Sequence, residues 1–383
     1  VACCRFNAWP SGLKRGCGNL RKNVSGNCSI STPLPTLPRP GGSRKGGVLT
    51  NFRAVQLLFV LLIALTGQAQ RYEFSRPLMG MSFRIVVYAQ DSAKAKQASK
   101  AAFDRVVVLN RIMSDYEPNS ELNKLSDLAG NGQAVPVSPE LFRVLDRAQA
   151  LSVLTGGAFD VTAGASIQLW RRARQLKRLP PQYALDKALK TIGFRTLKLD
   201  PEKRTAKLTQ TGTRLDLGGI AKGYVLDEAI AVLKKHGLCR ALVSAGGDIV
   251  AGDAPPGKAG WRVALIGLEE DAKPELLRLA NGAVATSGDL YQFLEVDGTR
   301  YSHIIDPRSG TALTEQRLVH VLALDAMSAD SLSTAISVLG PKGGLRLVAT
   351  DKNFGTRVAF REALGQVRVI ESPVFRAWSR VKN

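Results

Sequence analysis

Cysteine and histidine are scarce in this chain, and both scarcities narrow its chemistry. Of five cysteines in 383 residues, Cys3, Cys4, Cys17 and Cys28 fall within the first 28 positions and only Cys239 lies beyond them. A disulfide framework for the folded part is therefore excluded. The early cysteines form no paired Cys-x-x-Cys knuckles and have no histidine nearby, which argues against a zinc module. With only His236, His303 and His320, a multi-histidine metal centre is not expected, and any metal should be a hard ion held by oxygen. Also missing are G-x-x-x-x-G-K-[ST], a G-x-G-x-x-G after a strand, a G-x-S-x-G elbow and H-E-x-x-H. Acid is absent from residues 1–70, which hold nine basic side chains. The whole chain, with 53 Lys and Arg against 32 Asp and Glu, favours anionic ligands or surfaces through its long-range field. Charge alone names no partner, and a nucleic acid is not expected. An apolar fraction of 45% excludes disorder throughout.

Residues 1–48 are rich in Pro, Gly, Ser and Arg and lack any apolar period, so they should not fold, or they precede the true start of translation. Residues 49–69 read as a secretory signal peptide. Arg53 leads into the apolar run Ala54 to Leu65, broken only by Gln56, and Thr66-Gly67-Gln68-Ala69 has small residues where a signal peptidase reads. The alternative for this run is a buried core helix. It is short for a permanent membrane span, and no Cys follows Ala69 to take a bacterial lipid anchor. The expectation is an exported, periplasmic or similar protein with no lipid anchor and no stable transmembrane segment once the signal is cleaved.

Residues 71–375 read as one domain. Strands and helices mix without strict alternation, which predicts an α+β fold rather than a doubly wound sheet. Strands are predicted at Phe83 to Tyr88, Ala241 to Ser244, Trp261 to Ile266, Val284 to Thr286, Tyr301 to Ile305 and Leu318 to Leu324. Ala98, Ala102, Val106, Leu109 and Met113 recur at helical spacing after a cap at Asp91 or Ser92. Ser138-Pro139 opens a helix that Gly156 and Gly157 close. Further helices are predicted from Ile220 to Lys235, stopped by Gly237, and from Ala329 to Leu339, ended by Gly340.

Leu215-Asp216-Leu217-Gly218-Gly219-Ile220-Ala221-Lys222-Gly223-Tyr224 places two glycines between a predicted strand and a helix. Either a phosphate sits on that bare backbone at the helix's positive end, with Lys222 as a mobile cation and Asp216 as an acceptor, or the glycines only make a tight turn. Ser244-Ala245-Gly246-Gly247-Asp248 repeats the pattern after the next strand. Asp330 and Thr334 lie four apart on a predicted helix and face the same way. They could share one Mg²⁺ with a backbone carbonyl, or merely offset the helix dipole and bond back to a carbonyl. His303, beside the Asp306-Pro307-Arg308-Ser309-Gly310 turn, is either a base for a hydroxyl proton or a residue packed on a sheet face. His320 reads as structural, and His236 as a helix-end residue.

Taken in order, Met79-Gly80, Ser114-Asp115-Tyr116 with Ser120-Glu121-Leu122, Gly156 to Thr162, Leu215 to Tyr224, Ala245 to Ile249, Thr286 to Asp289, His303 to Gly310 and Ala329 to Gly340 resemble the ApbE family of FAD:protein FMN transferases, from about Arg71 to Ile370. The resemblance implies two intimately packed α+β halves with a flavin cleft between them. It implies a Mg²⁺-dependent enzyme that splits FAD at its pyrophosphate, joins the FMN half to a Thr or sometimes Ser of an acceptor protein, and releases AMP. The acceptor would be a flavoprotein subunit of a membrane redox pump or similar. Flavin contacts are implied at Met79, Tyr116, Ala158, Phe159, Asp160, Asp216, Lys222 and Ile304, and Mg²⁺ ligation by Asp330, Thr334 and the carbonyl of Gly219. His303 resembles the histidine proposed as base in some members of the family. The sequence departs from the commonest family pattern at Met81, at Ser333 and at Arg171-Arg172-Ala173-Arg174, where a glycine-rich motif often follows the Trp. Rival readings are an FAD pyrophosphatase on the same fold, a non-catalytic FAD carrier, and a basic surface-binding module.

Overall fold

The computed structural model describes residues 69–378 except 270, 363 and 364. The signal-like run lies outside the described residues. The fold is α+β. Its centre is an eight-stranded sheet, antiparallel at every pairing, ordered Gln70–Leu78, Met81–Ala89, Ala241–Ala245, Asp248–Ala251, Gly282–Gly288, Arg317–Ala323, Gly355–Arg361 and Val367–Glu371. Both faces are covered, which explains strands that read as apolar runs rather than clean alternations. Phe83, Ile85 and Val87 point to one core cluster, while Val86 and Tyr88 point to another with Trp261.

The first face carries the helices Ser92–Met113, Ala221–Lys235 and Ala326–Val348. The spaced apolar residues of the first helix are all buried, and its N-cap Asp91 accepts from the Lys94 amide. The opposite face carries the hairpin Trp261–Leu265 with Glu275–Leu279 and the short helix Pro373–Ala377. A second region begins with Glu121–Asp127 and continues through Pro139–Leu154, Gly164–Leu176 and Gln182–Leu189 to a three-stranded sheet of Val135–Pro136, Thr205–Leu208 and Leu197–Asp200. Its Leu141, Leu145, Leu151, Leu197 and Leu208 join the same core cluster as the large sheet, so the two regions share one interior. No helix among the described residues is long and apolar enough to cross a membrane.

Several sequence expectations need correction. Leu215 to Leu217 is not a strand; only an isolated bridge, Ala163 to Arg214, precedes the glycines. The predicted strand from Tyr301 to Ile305 breaks after Ser302, because His303 and Ile304 leave the hairpin Phe293–Val296 with Thr299–Ser302 before Ile305–Asp306 pairs elsewhere. The last long helix starts at Ala326, three residues earlier than expected and capped by Asp325, and Gly340, at φ 71° and ψ 178°, breaks it where the sequence placed its end, before a further helical stretch runs from Pro341 to Val348. Asp330 therefore lies in the second turn, too far in for the dipole role. The helices Gly164–Leu176 and Gln182–Leu189 were not expected.

His320 is structural, as its apolar strand suggested. It is fully buried between Thr286 Oγ1 and the Ile266 carbonyl, each 3.0 Å from a ring nitrogen. Burial holds its pKa down at about 4. The unfolded chain takes up this proton from about pH 6.5 downward while the folded chain resists until about pH 4, so stability is full above 6.5 and declines as pH falls through that window. The expected loss is about 3 kcal/mol. Melting curves of the wild type and His320→Gln over pH 4–7 check this, and equal slopes in both would contradict it.

Candidate functional site

Two helices cap each other, and the site grows from that exchange. Ala221–Lys235 has no side-chain cap of its own; its buried first-turn amide at Gly223, which has no partner within its own helix, donates instead to Asp330 Oδ2 at 3.0 Å, from the other helix. In return, Asp227 accepts from the amides of Ala326 and Met327 at 2.8 and 2.9 Å. Gly223 makes the exchange possible, since a Cβ there would lie 2.1 Å from the Ala326 carbonyl oxygen. The crossing brings Gly219 against Thr334, whose Oγ1 and Cγ2 would each lie 3.0 Å from a Cβ at Gly219.

Lys222 is not the mobile cation the sequence suggested. Its ammonium pairs with Asp248 and lies 3.3 Å from Asp330 Oδ1. Burial opposes its charge, but the two carboxylates outweigh this and raise its pKa. Burial likewise pushes the Asp248 carboxyl up, and the ammonium pushes back. Asp248 is presented by the Gly246-Gly247 turn, whose φ values of 56° and 92° suit glycine, and its second oxygen accepts from the Thr286 amide at 3.0 Å. The turn at Met79-Gly80 comes close through Met81, whose sulfur would lie 3.0 Å from a Cβ at Gly246. Ser287 adds a hydroxyl 2.6 Å from Ser333 Oγ and 3.4 Å from Thr334 Oγ1.

This donor set fits Mg²⁺. The Asp330 carboxylate and the Thr334 and Ser287 hydroxyls are hard oxygens gathered beside the Gly219 backbone, and a cation, the Lys222 ammonium, already sits between two carboxylates there. Among the described residues, no three His, Cys, Asp or Glu side chains are grouped to hold a softer metal.

The implied flavin residues fall into two groups. Phe159 reaches Gly219, its Cε2 standing 3.3 Å from the Cβ position there, while Ala158 packs with Ile304 and Val338. Asp160 faces inward, accepting from the Thr162 amide and hydroxyl and the Phe194 amide at 2.7–2.8 Å, and so fixes the backbone of that stretch. Tyr116 stands apart as a 70% exposed ring, with the Arg171 guanidinium 4.1 Å from its centroid. Arg171 is braced by Asp115 at 2.6 Å and Asp216 at 3.2 Å. Tyr116 thus has one face covered by a cation and the rest of its surface available to a flat ligand. Burial and the nearby Asp115 charge push the Asp216 carboxyl up to about 6.

His303 is half-buried, and its Nδ1 lies 3.2 Å from the Gln292 carbonyl. A carbonyl only accepts, so the shared proton belongs on Nδ1 and Nε2 keeps its lone pair. Burial lowers its pKa, with help from the charges of Arg174 and Lys222.

This ordered arrangement matches a known family. The ApbE family model matches residues 79–358, most of the described structure. The chain belongs to the ApbE family. Within it, a FAD:protein FMN transferase of Treponema pallidum (strain Nichols) is 33% identical over 293 residues, covering 72% of this chain and 81% of that one. One from Vibrio cholerae is 28% identical over 79% of this chain and 92% of its own. Among solved ApbE structures, the flavin transferase ApbE from Vibrio cholerae superposes with a TM-score of 0.74 at 27% identity, covering 81% of this chain and 99% of that one. The ApbE protein of Thermotoga maritima gives 0.71 at 30% identity, covering 82% and 100%.

Sequence reasoning gave no individual role to Asp248, Ser287 or Asp115 in this ApbE chain, and it connected Arg171 only with acceptor recognition, through the arginine cluster. Asp248 did carry a signal, because its Gly-Gly turn repeats the one at Gly218-Gly219. For the others the partners lie far away in sequence, and spacing holds no trace of them.

Proposed function

We propose that this chain is an exported FAD:protein FMN transferase that moves the FMN half of FAD to a threonine or serine hydroxyl of an acceptor protein and releases AMP. The observation that carries the reading is the meeting of Asp330, Thr334 and Gly219 beside Lys222 at a helix start, in a family whose named relatives are FAD:protein FMN transferases. Asp330, Thr334 and the Gly219 carbonyl would hold Mg²⁺, which when bound supplies positive charge to the phosphate oxygens as the anhydride breaks.

The protein's own groups do the rest. Tyr116, with Arg171 behind it, offers a stacking surface for one of the flat ring systems of FAD. The acceptor hydroxyl attacks the FMN-side phosphorus and gives its proton to Nε2 of His303. The new P–O bond forms as the bond to the AMP phosphate oxygen breaks, and AMP leaves with that electron pair. Export rests on the Arg53 to Ala69 pattern, and amino-terminal sequencing of secreted protein checks it. Incubation with FAD, Mg²⁺ and acceptor domains of redox-pump subunits should leave a covalent yellow fluorescent band on a denaturing gel. Steady AMP release without any acceptor would instead mark a pyrophosphatase.

His303 gives a separate test. Burial and the neighbouring cations keep its ring neutral to below the usual histidine range, so transfer should persist through pH 6.5 and fall only at lower pH. His303→Ala should lower kcat/KM by about 10²–10⁴-fold and remove that acid limb. An unchanged pH profile in the variant would take the proton-accepting role from His303.

A further inference from the structure

Two of the site's cations are each faced by a pair of carboxylates, and a third has none. Lys222 lies against Asp248 and Asp330, and Arg171 against Asp115 and Asp216. Arg174 follows three residues after Arg171 on the Gly164–Leu176 helix, so the two stems leave the same side of it. It is half-buried, yet among the described residues it has no ion pair and no side-chain hydrogen bond. It stands one turn beyond Arg171, whose guanidinium lies 4.1 Å from the Tyr116 centroid, and the pull of its charge on Tyr116 and His303 agrees with a place beside this part of the site. Burial and the like charge of Arg171 both oppose its protonated form. An arriving anion would offset both costs.

We propose that Arg174 binds the diphosphate of the dinucleotide substrate. This inference rests on the transferase reading and deepens it. The ring systems of FAD are neutral and its diphosphate carries two negative charges, so the phosphates are what call for a cation. Lys222 and Arg171 are already matched by carboxylates, leaving Arg174 as the uncommitted charge near His303. A base that takes a proton from the attacking hydroxyl must stand near the phosphorus under attack, so a cation whose field reaches that base also lies near the phosphates. The planar fork of arginine suits two phosphate oxygens at once. The residue falls in the Arg171-Arg172-Ala173-Arg174 stretch, where this chain departs from the commoner glycine-rich pattern, so the contact belongs to this chain's own sequence.

The test is Arg174→Gln in the full chain. Dissociation constants for FAD, FMN and riboflavin are read from flavin fluorescence quenching in EDTA, with melting curves to confirm folding. FAD and FMN affinity should fall about tenfold to a hundredfold, and riboflavin affinity should stay the same because it has no phosphate. Arg174→Lys should recover part of the loss; if Arg174→Gln melts early, Arg174→Lys carries the test through a severalfold loss confined to the phosphorylated ligands. FAD affinity within twofold of wild type overturns the proposal. So does equal weakening of riboflavin, or a change only in the KM for acceptor protein. Wild-type protein that binds FAD through Arg174 but labels no acceptor would count against the transferase reading and leave this assignment standing.

Discussion

Asp330→Asn should lose FMN transfer and AMP release by at least about 10²–10³-fold while keeping the fold. An amide oxygen can still accept from Gly223, so the helix start stays capped, but the negative charge that helps hold Lys222 and suits Mg²⁺ is gone. Asp330→Ala goes further: it also leaves the Gly223 amide without its partner, at a cost of about 1–3 kcal/mol. Product analysis by chromatography, beside thermal melts, separates the two effects. Near-normal AMP release by the asparagine variant would remove Asp330 from the chemistry and with it the main support for the transferase reading.

Gly223→Ala should have the largest effect on folding. A Cβ at this position meets the Ala326 carbonyl oxygen at 2.1 Å, its carbon at 2.5 Å and Met327 Cα at 2.7 Å. These are backbone atoms of a helix start and cannot rotate aside. The two helices must separate, breaking the Gly223 contact to Asp330 and straining those of Asp227 to Ala326 and Met327. Overpacking of this kind costs about 3 kcal/mol or more, so soluble yield and melting temperature should drop sharply. As a contrast, the Cβ position of Gly132 has nothing within 4 Å, although its φ of 84° strains any side chain there. Equal tolerance of alanine at 223 and 132 would mean that the close crossing is not needed.

Much of this architecture was legible because it is local. The spacing from Ala98 to Met113, the Ser138-Pro139 start and the glycines at 218–219 and 246–247 each act within a turn or two of themselves. Asp330 and Thr334 were legible as a pair for the same reason, four residues on one helix. The limits of local reading appear at Lys222, whose free ammonium was inferred from its own helix alone. Its partners come from positions 248 and 330, and only the folded sheet brings them within reach. Leu215 to Leu217 reads as a strand because a buried connecting segment carries the same apolar residues; its backbone is satisfied by isolated contacts, such as the Asp216 amide to the Val161 carbonyl at 2.8 Å. The strand break at His303 was equally invisible, since Tyr301 to Ile305 reads as continuous β character while the chain turns to pair with Ala312.

The carboxylate traded between the two long helices has a consequence for how descendants of this chain would change. Asp330 serves the scaffold as well as the proposed Mg²⁺ site, whereas among the described residues the Thr334 hydroxyl makes no contact to a neighbouring backbone amide. A lineage that abandoned catalysis would still be held to an acidic or amide side chain at 330, while 334 would be released to drift. In such relatives, the identity of residue 334 should separate working enzymes from silent copies better than the acid that first draws the eye.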